Sequence, residues 1–269
     1  MLTVVDIGCR WGFAERFIDP INIGKFRIYG FDPDEKECER LQLSYSHLPD
    51  GLITCIPMAL AKTPGVRNLF ITKEPACSSI HAPIQHLVDN YPALDCISLE
   101  KIISINVESL SNWAKRNSVK SIDYIKIDTQ GSELEILEGA GNLLSLTRCI
   151  DIEVEFNPIY QGQSTFSETD LFLRSKGFRL WRLSNLVYYS FGNNPISLKD
   201  KNYVCFDTQL RQEADAYGGQ LFWADARYVN ADVFKPKQDQ KIIFRDQSLF
   251  SVIGMPDVVD HLNKAASNQ

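Results

Sequence analysis

The chain has 269 residues, 44% of them apolar and 23% charged, long enough for one complete α/β core with an extension. Its formal net charge of −6 opposes a phosphate backbone and argues against nucleic acid as a partner. No apolar run approaches the roughly 18 residues that a bilayer span needs, and no basic, apolar and small-residue series precedes the first strand as in a secretory leader. Seven cysteines, Cys9, Cys38, Cys55, Cys77, Cys96, Cys149 and Cys205, form an odd set without a CxxC pair. They suggest neither a disulfide framework nor a zinc site, and the expected compartment is the cytoplasm.

In chain order, Val4–Gly8 reads as a buried strand, Arg27–Asp32 as a second, Glu35–His47 as a helix and Leu52–Ala59 as a third strand. A short strand at Asn68–Thr72 and a strand–helix pair over Ile102–Arg116 follow. Then come a strand at Ile122–Asp128, a helix at Ser132–Leu144, a strand at Ile150–Phe156, a helix at Glu168–Lys176, and strands at Phe178–Leu183 and Leu186–Phe191. This alternation predicts a doubly wound, mostly parallel sheet with helices on both faces, and ligands at the carboxyl ends of its strands. Beyond Ser197 the alternation fades. The expected organisation is a core domain over 1–196 and a helical extension over 197–269 packed on it, with an amphipathic helix at Asp257–Ala266.

Three segments carry candidate chemistry. The first is "VVDIGCRWG", a strand that runs into an acid, Asp6, and a Gly8-x-x-x-Gly12 loop holding Cys9 and Arg10. Asp32 ends the second strand, where a doubly wound sheet places an acid on ribose hydroxyls. The loop is shorter than GxGxxG and no further glycine shapes a pyrophosphate site, which suits a nucleoside without phosphates, such as S-adenosylmethionine.

The second segment is "IKIDTQGSELEIL". On a helical wheel Glu133 falls on the face of Ile136, Leu137, Ala140 and Leu144, so its carboxylate either serves a site or caps the loop at Gln130–Ser132. Asp128 ends the preceding strand and shares a face with Lys126. The third segment, "IDIEVEF", alternates Asp151, Glu153 and Glu155 with apolar residues, which is unexpected in a strand covered on both faces. If these strands are neighbours, Lys126 neutralises Glu153, leaving Asp128 and Glu155 as candidate general bases or ligands of a hard divalent ion. "NPIY" (Asn157–Tyr160) resembles the base-holding Asn-Pro-Pro-Tyr of adenine amino methyltransferases, but it lacks the second proline and the chain has the wrong charge for DNA.

The ordered series "VVDIGCRWG", "GFDPD", "IPMALAKTPG", "CSSI", "IDYIKIDTQGSELEILEGA" and "EVEFNPIYQGQSTFSETDLFLRSKGF" resembles the FkbM-type family of S-adenosylmethionine-dependent methyltransferases. The likeness runs from Val4 to Leu183. It implies the class I methyltransferase fold, cofactor contacts from Asp6, Gly8, Gly12 and Asp32, adenine contacts from the segment at Ala59, and O-methylation of hydroxyls on sugars or natural products. Cys9 and Arg10 stand where the family usually has Ala-Asn, and Thr129 and Gln130 where it has Val-Glu. The catalytic candidates are therefore Asp128, Glu133 and Glu155, with a divalent metal left open and a small molecule or glycan as acceptor. N-methylation of an amine and a non-catalytic nucleoside-binding domain are the alternatives.

Overall fold

The computed structural model describes residues 1–189, 199–207, 212–217, 220–236 and 239–267, with backbone only for 199–207 and 212–217. Strand β1 (Leu2–Ile7) leads through the short helix α1 (Ile18–Asn22) to β2 (Phe26–Asp32), and α2 (Glu35–Ser44) carries the chain to β3 (Ile53–Pro57). β4 (Ala59–Leu60), β5 (Gly65–Thr72), α3 (Gln85–Asn90) and β6 (Leu99–Glu108) follow, then α4 (Leu110–Arg116), β7 (Tyr124–Ile127) and α5 (Glu133–Ala140). β8 (Cys149–Glu155), α6 (Phe166–Ser175) and β9 (Phe178–Tyr189) complete the alternation. The remaining elements are β10 (Lys199–Asp207), β11 (Gln212–Tyr217), β12 (Gln220–Asn230), α7 (Gln240–Val252) and α8 (Pro256–Ser267).

Local chemistry sets several boundaries. The Asp34 side chain accepts from the Lys36 and Glu37 amides and starts α2 directly after β2, while Thr165 and Glu168 form a reciprocal capping box on α6. The central sheet has the order β3-β2-β1-β7-β8-β12-β9. Its first five strands are parallel, and β12 runs antiparallel to both β8 and β9. The order reverses between β1 and β7, which opens the crevice that a doubly wound sheet offers to a ligand.

Alternate residues of each strand feed two cores. Val4, Tyr124, Cys149 and Val229 pack toward Ile21, Leu41, Leu249 and Val258, whereas Val5, Ile125, Ile152 and Tyr228 pack toward Trp113, Ile136, Leu137 and Leu173. A third cluster, Tyr91, Leu94, Ile97, Ile159, Tyr160 and Phe222, seats the 73–98 segment.

The structure departs from the expected elements at three places. The third strand stops at Pro57, which has no N–H for the ladder, and Ala59–Leu60 joins a separate sheet of order β4-β6-β5. The strands expected at 178–183 and 186–191 are one strand, β9, as far as Tyr189, with a register shift at Asn185; residues 190 and 191 lie outside the described residues. Residues 220–230 are a strand, not part of a helical extension: Phe222, Ala224, Ala226 and Tyr228 are buried in alternation, and β8 and β9 supply partners on both edges. Helices do follow, as α7 and α8. The expected boundary at 196/197 lies outside the described residues. α7 is pinned under the sheet by Arg148 paired through two bonds to Asp246 (2.8 and 2.5 Å) and by Arg245 bonded to Asp123 (2.6 Å).

Candidate functional site

A cavity of about 740 Å³ opens at the carboxyl ends of β1, β2 and β7. Asp32, buried at the end of β2, accepts from the Asp34 amide through Oδ1 (2.8 Å). Arg10 reaches back over it, 3.9 Å from Asp32 and 3.2 Å from Asp34. Burial raises the Asp32 carboxyl above the usual range, and the Asp34 amide and Arg10 pull it back. Phe31, Met58, Ala59, Leu60, Leu69 and Ile71 supply an apolar wall, and Cys77 and Ser78, on the segment bonded to β5, also line the cavity. Trp11 is 78% exposed at the rim, so it does not fill the space. The loop lies so close to β7 that a Cβ on Gly8, at φ +82, would stand 1.8 Å from the Asp128 carbonyl oxygen. Only glycine fits there.

The loop after β7 holds the acid Asp128 in place. Lys126 Nζ lies 3.3 Å from Asp128 Oδ2, and Gln130 Nε2 donates to Asp128 Oδ1 (3.1 Å) and to Glu153 Oε1 (3.3 Å). Gln130 itself sits at φ +60, and its Oε1 accepts from the Tyr160 hydroxyl (3.2 Å). Glu133 turns inward. Its carboxyl accepts from the Thr129 amide (2.8 Å), the Thr129 hydroxyl (3.1 Å) and the Gly131 amide (2.9 Å). Burial raises the Glu133 pKa while these backbone donors lower it.

A second cavity of about 610 Å³ lies on the other side of the Gly8–Phe13 loop, along the face of β1, β7, β8 and β12. It shares Asp128 and Glu153 with the first. Asp6 stands in it with Lys126 Nζ 3.6 Å away. Burial pushes Asp6 up to about 6, against the attraction of Lys126. Burial also opposes the Lys126 ammonium, but Asp6 and Asp128 outweigh it and raise the Lys126 pKa. Arg227 grips Asp151 through two bonds (2.6 and 2.5 Å), and Arg16 approaches the same carboxylate at 3.6 Å.

The candidates thus separate. Gly8, Arg10, Asp32, Ala59 and Asp128 meet in the first cavity; Asp6, Gly12 and Asp128 meet in the second. Cys9, Glu133 and Glu155 line neither. Cys9 is 1% exposed, with its sulfur directed at Gly30 in the core. Lys126 pairs with Asp6 and Asp128, so the expected neutralisation of Glu153 by an ion pair does not occur. Instead desolvation and the nearby Asp128 raise Glu153 well above the carboxylate range, and desolvation with Glu133 does the same for Glu155. Both shifts favour the neutral carboxyl over the bare charge.

Gln130 stood out in the sequence as part of the loop that Glu133 could cap and as a departure from the family's Val-Glu pair, but not as a partner of Asp128. Arg16, Asn185 and Asp225 were not flagged, because they become neighbours only through the tertiary fold. In "NPIY", Asn157 bonds the Leu221 carbonyl (2.7 Å) and Tyr160 the Cys77 carbonyl (2.6 Å), tying the 77–98 segment to the carboxyl end of β8. Among the described residues, no group of three or more His, Cys, Asp or Glu side chains is placed to hold a metal ion, and no helix is long and apolar enough to cross a membrane.

A carboxylate for ribose hydroxyls beside an apolar slot for a planar base fits the nucleoside of the expected cofactor. With the strand order, these features define a methyltransferase of class I architecture. Residues 6–180 match the Methyltransferase FkbM domain. The chain belongs to the FkbM methyltransferase family, and S-adenosylmethionine is its cofactor. It is 26% identical over 172 residues to the 2-O-methyltransferase NoeI of Sinorhizobium fredii (strain NBRC 101917 / NGR234), a match covering 60% of this chain and 66% of that protein. It is also similar to magnesium protoporphyrin IX methyltransferase of Synechocystis PCC 6803, solved with bound SAM (13% identity, 85% of this chain and 70% of that one, TM-score 0.38). A further similarity is to precorrin-6y C5,15-methyltransferase of Geobacter metallireducens GS-15 (10% identity, 85% and 81%, TM-score 0.38).

Proposed function

We propose that the protein is an O-methyltransferase that methylates a hydroxyl of a sugar, glycan or small natural product. The observation that carries this reading is the position of Asp128, whose side chain belongs to the walls of both cavities. The likeness to a 2-O-methyltransferase supports a hydroxyl acceptor. The charge of −6 supports a partner other than nucleic acid.

When bound, S-adenosylmethionine supplies an electrophilic methyl group on a sulfonium. Asp32 would hold the ribose and Met58–Leu60 the base. Arg10 must release Asp32 from its ion pair as the ribose hydroxyls arrive. Asp128 is the general base that takes the acceptor's hydroxyl proton. Lys126 and Gln130 each hold one of its oxygens, which orients the carboxylate. Glu133 is a positioning residue that fixes the backbone of the loop, and Glu155 is a buried acid two residues beyond Glu153 on β8.

The test is Asp128→Asn in the full chain. Loss of a general base costs about 10²–10⁴ in rate, while calorimetric titration with S-adenosylhomocysteine is expected to change little. A variant that turns over normally removes Asp128 from the chemistry. Asp32→Ala is expected to weaken S-adenosylhomocysteine itself.

A further inference from the structure

The outer wall of the second cavity is built by β9 and β12, and their pairing is irregular there. Ser184 lies opposite Asp225 and Val187 opposite Trp223, so Asn185 and Leu186 together face Ala224. This is a β-bulge, a device that re-aims a side chain next to a site. Asn185 holds φ +51 within the bulge. Glycine is the least strained residue in that conformation, yet the chain places an amide there. The amide is used: Nδ2 donates to Asp225 Oδ2 at 2.6 Å, and both side chains line the cavity with Ser184.

The other carboxylates of the cavity narrow what it can receive; among the lining cations, Arg182 stands beside Ser184. Asp6 and Asp128 are paired with Lys126, Asp151 with Arg227 and Arg16, and Glu153 is bonded to Gln130. An ammonium acceptor would find no uncommitted carboxylate except Asp225, which Asn185 already engages. What the Asn185–Asp225 pair does present is a donor and an acceptor side by side: the second amide hydrogen and amide oxygen of one, the other carboxylate oxygen of the next. Two adjacent hydroxyls match that arrangement, since each donates one hydrogen bond and accepts another.

We propose that the second cavity is the acceptor site and that Asn185 and Asp225 select the acceptor by binding a vicinal diol of a neutral sugar. The proposal rests on the methyl-transfer reading above and extends it to specificity. The bulge delivers the pair to the same cavity wall system as Asp128. One hydroxyl of the ring is then presented to the base while its neighbours are read on the far side.

The experiment uses the full chain with Asn185→Gly, which keeps the backbone conformation and removes the amide, and Asp225→Asn, which keeps the shape and changes the acceptor oxygen to a donor. Radiolabelled methyl transfer from S-adenosylmethionine is measured to methyl glycosides of glucose, mannose, galactose and fucose, and to derivatives lacking one hydroxyl of the diol. S-adenosylhomocysteine binding is followed in parallel by calorimetry. The expected result is transfer to at least one glycoside, with KM raised about tenfold in either variant while kcat and S-adenosylhomocysteine affinity stay within about twofold. Removing one diol hydroxyl should raise KM in the native protein but little further in Asn185→Gly. A purely structural bulge residue would alter kcat, cofactor affinity and melting together. Unchanged KM in both variants overturns the assignment of the pair. Normal S-adenosylhomocysteine binding with transfer to none of the glycosides overturns the sugar class but leaves the methyltransferase intact. A folded protein that binds no S-adenosylhomocysteine overturns the methyl-transfer reading, and the acceptor site falls with it.

Discussion

Glu133→Gln separates two roles for a buried acid beside a catalytic loop. The carboxyl accepts from Thr129 N, Thr129 Oγ1 and Gly131 N, whereas an amide offers one accepting oxygen and turns its NH₂ toward one of those N–H groups. Hydrogen bonds to a charged acceptor contribute about 1.5–3 kcal/mol each, and a stranded buried donor costs about 1–3 kcal/mol. With Thr129 still satisfied and Gly131 N left only its longer 3.1 Å contact to Oε1 beside the new NH₂, the loss centres on Gly131 and comes to about 3 kcal/mol. At roughly 2–4 °C per kcal/mol for a chain of this size, the melting temperature falls by about 6–12 °C. Scanning calorimetry at pH 8 reads the shift, and methyl-transfer assays below the transition read the consequence for Asp128. The clamp reading requires both a lower melting temperature and a partial loss of rate. Abolished turnover with unchanged melting would refute it and make Glu133 a reacting group.

Gly8→Ala asks the 1.8 Å gap to the Asp128 carbonyl to widen to at least 3.0 Å; we expect destabilisation of about 3 kcal/mol or more and loss of S-adenosylhomocysteine binding, measured by calorimetry. An undisturbed variant would mean that β1 and β7 are not held this closely. Asp6 carries a pH signature. Its folded pKa of about 6 lies above the 3.8 of a free aspartate, so the native state binds the proton more tightly, and stability falls as pH rises through this window. Above about pH 6 the penalty is complete, roughly 3 kcal/mol at most. Asp6→Asn removes it, so urea unfolding should show the variant gaining stability over the native protein between pH 4 and pH 8. A pH-independent difference would contradict the burial of Asp6.

The elements legible in the sequence were those with local signatures. Asp34 capping α2, the wheel that turns Glu133 inward, and the Val-Ile alternation of β1 and β7 are each written within a dozen residues. The first cavity was legible for the same reason, because Gly8 and Asp32 occupy fixed stations on consecutive strands. What escaped depended on distant partners. β12 looks weak alone because Asp225 and Arg227 interrupt it, and it becomes a strand only between β8 and β9. Glu133 and Asp128 are equivalent acids on paper; the backbone of Thr129 and Gly131 distinguishes them. Lys126 was paired on paper with an acid of the strand beyond, but Asp6, across the other edge of β7, reaches it in the fold.

β12 arrives last among the sheet strands and occupies an inner position. Until residue 230 has been synthesised, β8 presents an open edge, and β9, already made, is free to dock against it in a parallel register that would shut the late strand out. The sheet therefore cannot close in the order of synthesis. A chain released before residue 220, even one that retains all of residues 6–180, would keep the first cavity's residues but leave β8 unpaired on one side and bury neither Phe222 nor Tyr228, so it is expected to aggregate rather than work as a smaller enzyme.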